Sequence, residues 1–273
     1  MFRKKDSVEK MRDLWNSYNK KSKFGFISFL QSGQKWDGAE FHIVGVRFVD
    51  RMMERFAEYG VVEPSYASIL EIGCGVGRFL KPLACRFQNV CGVDISQNML
   101  ETARDYCSCL PNITFKLNDG KSLTGINDNS YDYCVSAGVF QHITDINVII
   151  SYIKEGLRII KPQGLMLFQF VGNYTEEVGH DAVGAKITAD LLDKGLIDSS
   201  FIIREVSVDP EDKLRCVVIV IQKIVGDKKT ETFKNHKMIE RRWLSKVYDD
   251  IKTKTHMHSI QIQPQSRLTF YDE

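Results

Sequence analysis

The run Glu71-Ile72-Gly73-Cys74-Gly75-Val76-Gly77 sets three glycines behind one carboxylate. Ile69, Leu70 and Ile72 around Glu71 read as a buried strand that breaks into a glycine loop before a helix starting near Arg78. Such a loop lets a ligand lie against bare backbone, which any Cβ would obstruct. It also sits at the carboxyl end of a strand, where open α/β sheets bind ligands. Dinucleotide loops space their glycines G-x-G-x-x-G and hold a pyrophosphate at a helix N-terminus. Here the third glycine comes one residue early, and Glu71 stands two residues before the first. That carboxylate repels a pyrophosphate and suits a ligand with positive centres, an amino group and a sulfonium.

Two further acids fall at comparable places. The next apolar run ends Cys91-Gly92-Val93-Asp94, with Asp94 23 positions after Glu71. An acid at the tip of a second strand can accept both hydroxyls of a ribose. The third run is followed by Asn118-Asp119-Gly120, where Asp119 is placed to meet an adenine amino group. Three consecutive strands thus end in an acid or a glycine loop on one sheet edge.

With these residues on one edge, the chain resembles the class I S-adenosylmethionine-dependent methyltransferases over about residues 66–224. The resemblance continues through A-G-V-F-Q-H-I-T-D at 137–145 and E-G-L-R-I-I-K-P-Q-G-L-M-L-F-Q at 155–169, with Pro162-Gln163-Gly164 as a mild departure. It implies a Rossmann-like α/β sheet, mostly parallel with its last strand antiparallel and flanked by helices. It implies S-adenosylmethionine as cofactor, S-adenosylhomocysteine as product, and no metal. Gly73, Cys74, Gly75 and Gly77 would then pass the methionine part, and Glu71 would order the loop and the ammonium end. Asp94 would hold the ribose, Ile95 and Met99 would flank the adenine, and Asp119, between Asn118 and Gly120, would meet its amino group. Ala137 and Val139, after the fourth strand, complete the expected cofactor set.

Methyl transfer from a sulfonium is an in-line displacement, so positioning in a dry site supplies much of the acceleration. A hydroxyl acceptor also needs a base. His142 is the candidate, because it follows the fourth strand on the ligand edge and titrates near neutrality. Gln141 beside it, and Tyr18, Trp36 and His42 in the amino-terminal zone, are candidate substrate contacts; His180 is a weaker second base. Each has a plainer alternative in packing, capping or loop structure. Ala137-Gly138-Val139-Phe140 replaces the Asn/Asp-Pro-Pro-aromatic motif of nucleic-acid amino methylators. It also lacks the carboxylates of metal-dependent catechol methylators, and the paired-glutamate loop of protein arginine methylators is missing. The expectation is a metal-independent transfer to an oxygen or nitrogen of a small molecule: a sugar, a lipid-linked saccharide or a secondary metabolite. The alternatives are a catalytically silent cofactor-binding partner or regulatory subunit and, more distantly, a nicotinamide-dependent oxidoreductase.

The elements that must position these residues divide into three zones. Residues 1–60 form a helical cap or lid, in which Val46, Val49, Met52, Met53 and Phe56 make one apolar helix face that Gly60 ends. Residues 61–224 alternate strands with amphipathic helices, which implies βαβ units. The strands are Ser68–Ile72, Val90–Val93, Ile113–Leu117, Tyr131–Ser136 and Leu165–Val171, and the helices Phe79–Phe87, Asn98–Tyr106 and Ile146–Ile160. A helix at Ile187–Lys194 precedes a hairpin of Phe201–Val208 and Leu214–Ile224. Residues 225–273 are an extension, helical around Met238–Ile251. Its basic residues Lys234, Lys237, Arg241, Arg242 and Lys246 read as a solvated face or as a dock for a partner subunit or a phosphorylated acceptor, while Trp243 and Tyr248 favour packing on the core or on a dimer mate.

Charge and cysteine usage bound the rest. With 37 basic and 35 acidic residues, the net charge of +2 gives no general reason to bind nucleic acid. The seven cysteines are odd in number and show no C-x-x-C spacing, which predicts reduced structural thiols in a cytoplasmic protein. No apolar run is long enough to span a bilayer.

Overall fold

The computed structural model describes residues 6–17, 38–60, 62–171, 184–211, 216–226 and 232–242. Helix α1 spans Ser7–Ser17 and α2 Gly38–Tyr59. Then follow β1 (Ser68–Ile72), α3 (Leu80–Ala84), β2 (Asn89–Asp94), α4 (Gln97–Tyr106), β3 (Ile113–Leu117) and β4 (Tyr131–Ser136). The chain continues with α5 (Ile146–Ile159), β5 (Ile160–Val171), α6 (Ala189–Gly195), β6 (Phe201–Val208), β7 (Cys216–Lys223) and a two-residue β8 (Ile239–Glu240). All eight strands form one sheet in the order β3-β2-β1-β4-β5-β7-β6-β8. From β3 to β5 the neighbours are parallel, and β7 is antiparallel to both β5 and β6. The order reverses between β1 and β4, so the loops after these two strands flank the switch point where such sheets bind ligands.

The central parallel strands β1, β2 and β4 and the second half of β5 are buried on both faces, and two cores result. One packs Val44, Phe48, Val49, Met52 and Phe56 of α2, with Leu80 and Leu83 of α3, on Ile69, Val135, Leu165 and Leu167. The other packs Ile149, Tyr152 and Ile153 of α5, with Val8 of α1, on Leu70, Ile72, Met166 and Phe168. Five cysteines (Cys74, Cys91, Cys107, Cys134 and Cys216) are buried thiols.

Several boundaries differ from the sequence reading. Helix α2 begins at Gly38, well before the expected apolar stripe, and Gly60 closes it by donating its N–H to the Phe56 carbonyl at 2.7 Å. Helix α3 has only five residues. Strand β5 leaves α5 directly at Ile160 and absorbs Pro162-Gln163-Gly164 as an irregularity, with Gln163 at a φ of +67°. The expected helix over Met238–Ile251 is corrected at its start. Ile239 and Glu240 extend the edge of β6, pairing with Ser207 and Val208, because β6 has an open hydrogen-bonding edge and a buried carboxylate, Glu205, that draws in Arg241. Residues 243–273 lie outside the described residues, as do Tyr18, Trp36 and His180.

Candidate functional site

The glycine loop leaves β1 with Gly73, Gly75 and Gly77 at φ values of +72°, +54° and +88°, a region side chains rarely tolerate. The loop is tied to the neighbouring strand: the N–H groups of Gly73 and Cys74 donate to the Val93 carbonyl at 2.8 and 3.0 Å. A Cβ on Gly73 would lie 2.5 Å from a Val139 methyl, so the loops after β1 and β4 close against each other here.

Asp94, at the tip of β2, is buried, and its two oxygens accept from Gly75 N and Ser96 N, each at 2.8 Å. Burial raises its pKa to about 6 against those hydrogen bonds. Each oxygen keeps lone-pair capacity for a ligand hydroxyl. Glu71, two residues before the glycines, is 2% exposed, and its Oε2 has no hydrogen-bond partner. Burial lifts its pKa to about 8, with Arg78 pulling it down and Asp94 pushing it up. Arg78 lies over the rings of Phe79, Phe48 and Phe41, the last two from α2.

At the tip of β3, the Asp119 carboxylate takes N–H groups from Lys121 and Ser122 on one oxygen and the Ser122 hydroxyl on the other. It closes its own turn, and its carbonyl accepts from Arg12 at 2.7 Å. Asn118 is the more deeply placed polar group. Its Nδ2 donates to the Tyr152 hydroxyl at 2.9 Å, while its buried Oδ1 has no partner. Ile95 and Gly120 meet, since a Cβ on Gly120 would lie 2.4 Å from Ile95 Cδ1. Ser96 caps α4 by accepting from Met99 N. Met99 joins Phe41 and Val76 in a small apolar cluster with Trp15 and Tyr106 packed against it.

After β4, Ala137 and Gln141 are buried, and His142 ends a short 3-10 turn, Phe140–His142. Gln141 Nε2 lies 3.4 Å from His142 Nε2, and its Oε1 has no partner. His42 sits in the seam between α2 and α4, its Nδ1 3.3 Å from the Tyr106 hydroxyl. Burial, with Lys81 nearby, holds its pKa below the usual histidine value.

The structure also brings in residues that the sequence reading missed. Helix α1 crosses the strand tips: Lys121 pairs with Asp6 at 2.8 Å, Ser96 Oγ meets Asn16 Oδ1 at 2.8 Å, and Trp15 packs on His142. No local motif announces this, because α1 is a short amphipathic helix far from the loops it covers. Gln169 is different: it is a polar residue inside the apolar run Leu165–Val171, and that interruption is a readable signal. Among the described residues, no group of three or more His, Cys, Asp or Glu side chains is arranged to hold a metal ion, and no helix is long and apolar enough to cross a membrane.

Residues 70–168 match the family described as a methyltransferase domain. The ubiquinone biosynthesis O-methyltransferase of Bartonella tribocorum is 28% identical over 131 residues, covering 48% of this chain and 51% of that protein. The protein of the same name from Coxiella burnetii is 28% identical over 137 residues, covering 50% and 57%. The chain thus spans about half the length of these relatives. Among solved structures, magnesium protoporphyrin IX methyltransferase from Synechocystis aligns with a TM-score of 0.61 at 19% identity, over 80% of this chain and all of that one. Haemonchus contortus phosphoethanolamine N-methyltransferase 1, in complex with phosphoethanolamine and S-adenosylhomocysteine, aligns with a TM-score of 0.61 at 14% identity, over 93% of this chain and 56% of that one. Likenesses at these identities speak to the fold.

Proposed function

We propose that this chain is a class I S-adenosylmethionine-dependent methyltransferase, a reading supported by the match of residues 70–168 to a methyltransferase domain, and that it methylates an oxygen or nitrogen of a small molecule without a metal. The observation that carries the reading is the set of buried, unsatisfied polar atoms at the strand tips, Glu71 Oε2 and Asn118 Oδ1, beside the glycine cradle and the Asp94 carboxylate. Buried polar groups normally find partners, and those that do not point to a ligand. These residues fit the family's cofactor. Gly73, Gly75 and Gly77 would leave room for its methionine part, and Glu71 would face its positive end. Asp94 would take the ribose hydroxyls, while Asn118 and Asp119, with Ile95, Met99 and Gly120, would border the adenine. Cys74, Ala137 and Val139 would line the remainder.

When bound, S-adenosylmethionine supplies an electrophilic methyl carbon on a sulfonium. Around it, Phe41, Val76 and Met99 exclude water, which strengthens every charge interaction inside. An acceptor hydroxyl must lose its proton as its oxygen bonds to carbon, and His142 is the group assigned to take it, with Gln141 orienting the ring. The O-methyltransferase names of the relatives favour oxygen over nitrogen. In this reading α1 and α2 form a cap over the strand tips.

The test is calorimetric titration of the full chain with S-adenosylhomocysteine. Binding is expected, and Asp94→Ala should weaken it about tenfold or more, the scale of a lost hydrogen bond to a charged group. No binding to the unaltered chain would refute the proposal.

A further inference from the structure

Gln169 is fully buried, and neither its Nε2 nor its Oε1 has a hydrogen-bond partner. Several other buried polar side chains in the sheet are satisfied. On the neighbouring strand, Gln222 accepts from Arg204 and donates to the Gln163 carbonyl. Asp132 accepts from Ser68 N and Lys161, and Glu205 from Arg55. Among the described residues, the amide and carboxylate side chains with a buried, unpartnered atom are Glu71, Asn118, Gln141 and Gln169: Glu71 and Gln169 near the carboxyl ends of β1 and β5, Asn118 just past β3, and Gln141 in the turn after β4. The first two belong to the cofactor side of the sheet in the reading above. Gln169 lies at the opposite end of that row, on β5.

Its position is defined by register. Side chains alternate along a strand, so Gln169 shares the face of Leu165, Leu167 and Val171, which α2 covers with Val44, Phe48 and Val49. Glu71, Val135 and Leu167 lie in one line across β1, β4 and β5. One step beyond the last β4–β5 pair, Ser136 with Phe168, stand Ala137 and Gln169. Ala137 carries only a methyl group, so little bulk separates the Gln169 level from the Gly73 loop.

We infer that Gln169 is a specificity-determining residue that holds a neutral, hydroxyl-bearing methyl acceptor beneath α2. This rests on the methyltransferase reading and narrows its substrate class. A primary amide is donor and acceptor at once, and a hydroxyl is its complement on both counts. A carboxylate or phosphate would satisfy Nε2 and leave Oε1 facing negative charge. The same amide burdens the fold, since an apolar side chain there would bury no unsatisfied atom.

The experiment uses the full chain saturated with S-adenosylhomocysteine, with 1,2-dihydroxybenzene and benzoate as acceptor probes followed by ligand-observed NMR. The unaltered chain should bind 1,2-dihydroxybenzene in preference to benzoate. Gln169→Leu should melt a few degrees higher, keep its S-adenosylhomocysteine affinity within about twofold and weaken the diol about tenfold. Gln169→Met repeats the comparison with a flexible side chain that adapts to its surroundings. Diol binding unchanged in both variants, a preference for benzoate, or no diol binding by the unaltered chain would each overturn the inference. Failure of S-adenosylhomocysteine itself to bind would instead remove the methyltransferase reading, so the two failures are distinct.

Discussion

Trp15 stands edge-on to His142, with ring centroids 5.2 Å apart and planes at 79°. The contact joins α1 to the loop after β4, and α1 has further anchors along the strand tips. Arg12 donates to the Asp119 carbonyl, Asn16 meets Ser96, and Val8 enters the core beside Gly120. A ligand entering the edge of β2 and β3 therefore meets α1 first. Most anchors are single polar contacts, several of them exposed and individually weak, so α1 can release without unfolding the sheet.

Trp15→Ala should accordingly speed S-adenosylhomocysteine release several-fold while the global unfolding midpoint changes little. Stopped-flow displacement reads the rate. An unchanged off-rate would remove α1 from the entry path.

His142→Ala separates base from scaffold. General-base catalysis is typically worth about 10²–10⁴ in rate, so turnover should fall at least tenfold with S-adenosylhomocysteine affinity kept within about twofold. Equal loss of both would make His142 part of the cofactor loop, held there by Trp15 and Gln141.

The strand-tip edge with its glycine loop and acids was legible because it depends on local chemistry. The spacing of Gly73, Gly75 and Gly77 behind Glu71, and acids at the ends of the next two apolar runs, are one-dimensional facts that β pairing merely aligns. The division of labour at β3 was less so. Asp119 spends its carboxylate on its own turn, and Asn118 keeps the buried unpartnered oxygen, which depends on side-chain direction rather than on type. The contacts that seat α1 and the carboxy-terminal edge were hidden for another reason. Helix α1 and β8 are placed by contacts made over long stretches of chain, Arg12 with Asp119 and Arg241 with Glu205, and no periodicity encodes these.

Glu71 gives a pH prediction. Its pKa is raised from an ordinary 4.5 to about 8, so the ligand-free protein holds a proton that the unfolded chain has lost, and this contribution to stability declines as pH climbs from 4.5 through about 8. A cationic ligand favours the ionised form, so S-adenosylmethionine should bind with proton release near pH 7 and gain affinity as pH rises toward 8. Calorimetry in buffers of different ionisation enthalpy measures the proton count. Glu71→Gln should abolish that release; a release of the same size in the variant would assign it elsewhere.

Helix α2 is held against the sheet by a buried ion pair as well as by apolar packing. Arg55 of α2 is 1% exposed and pairs through Nε with Glu205 Oε1 at 2.9 Å, while Arg241 reaches Glu205 Oε2 at 2.7 Å and Glu58 at 3.1 Å. Four side chains donate to Glu205: Arg55 and Tyr59 from α2, Ser207 two residues further along β6, and Arg241 just after β8. Removing the carboxylate strands a buried guanidinium, so Glu205→Leu should cost about 3–5 kcal/mol in urea unfolding. Arg241 is partly exposed and retains Glu58, so its share of that loss is small. Replacing the buried pair together, Glu205→Leu with Arg55→Met, should recover most of the stability, because apolar side chains of similar size seldom do worse than a buried ion pair. The double variant should still expose the amides of Ile239 and Glu240 to hydrogen exchange, since the pull on Arg241 is gone. Equal destabilisation in the single and double variants would mean that Arg55 draws its compensation from groups other than Glu205.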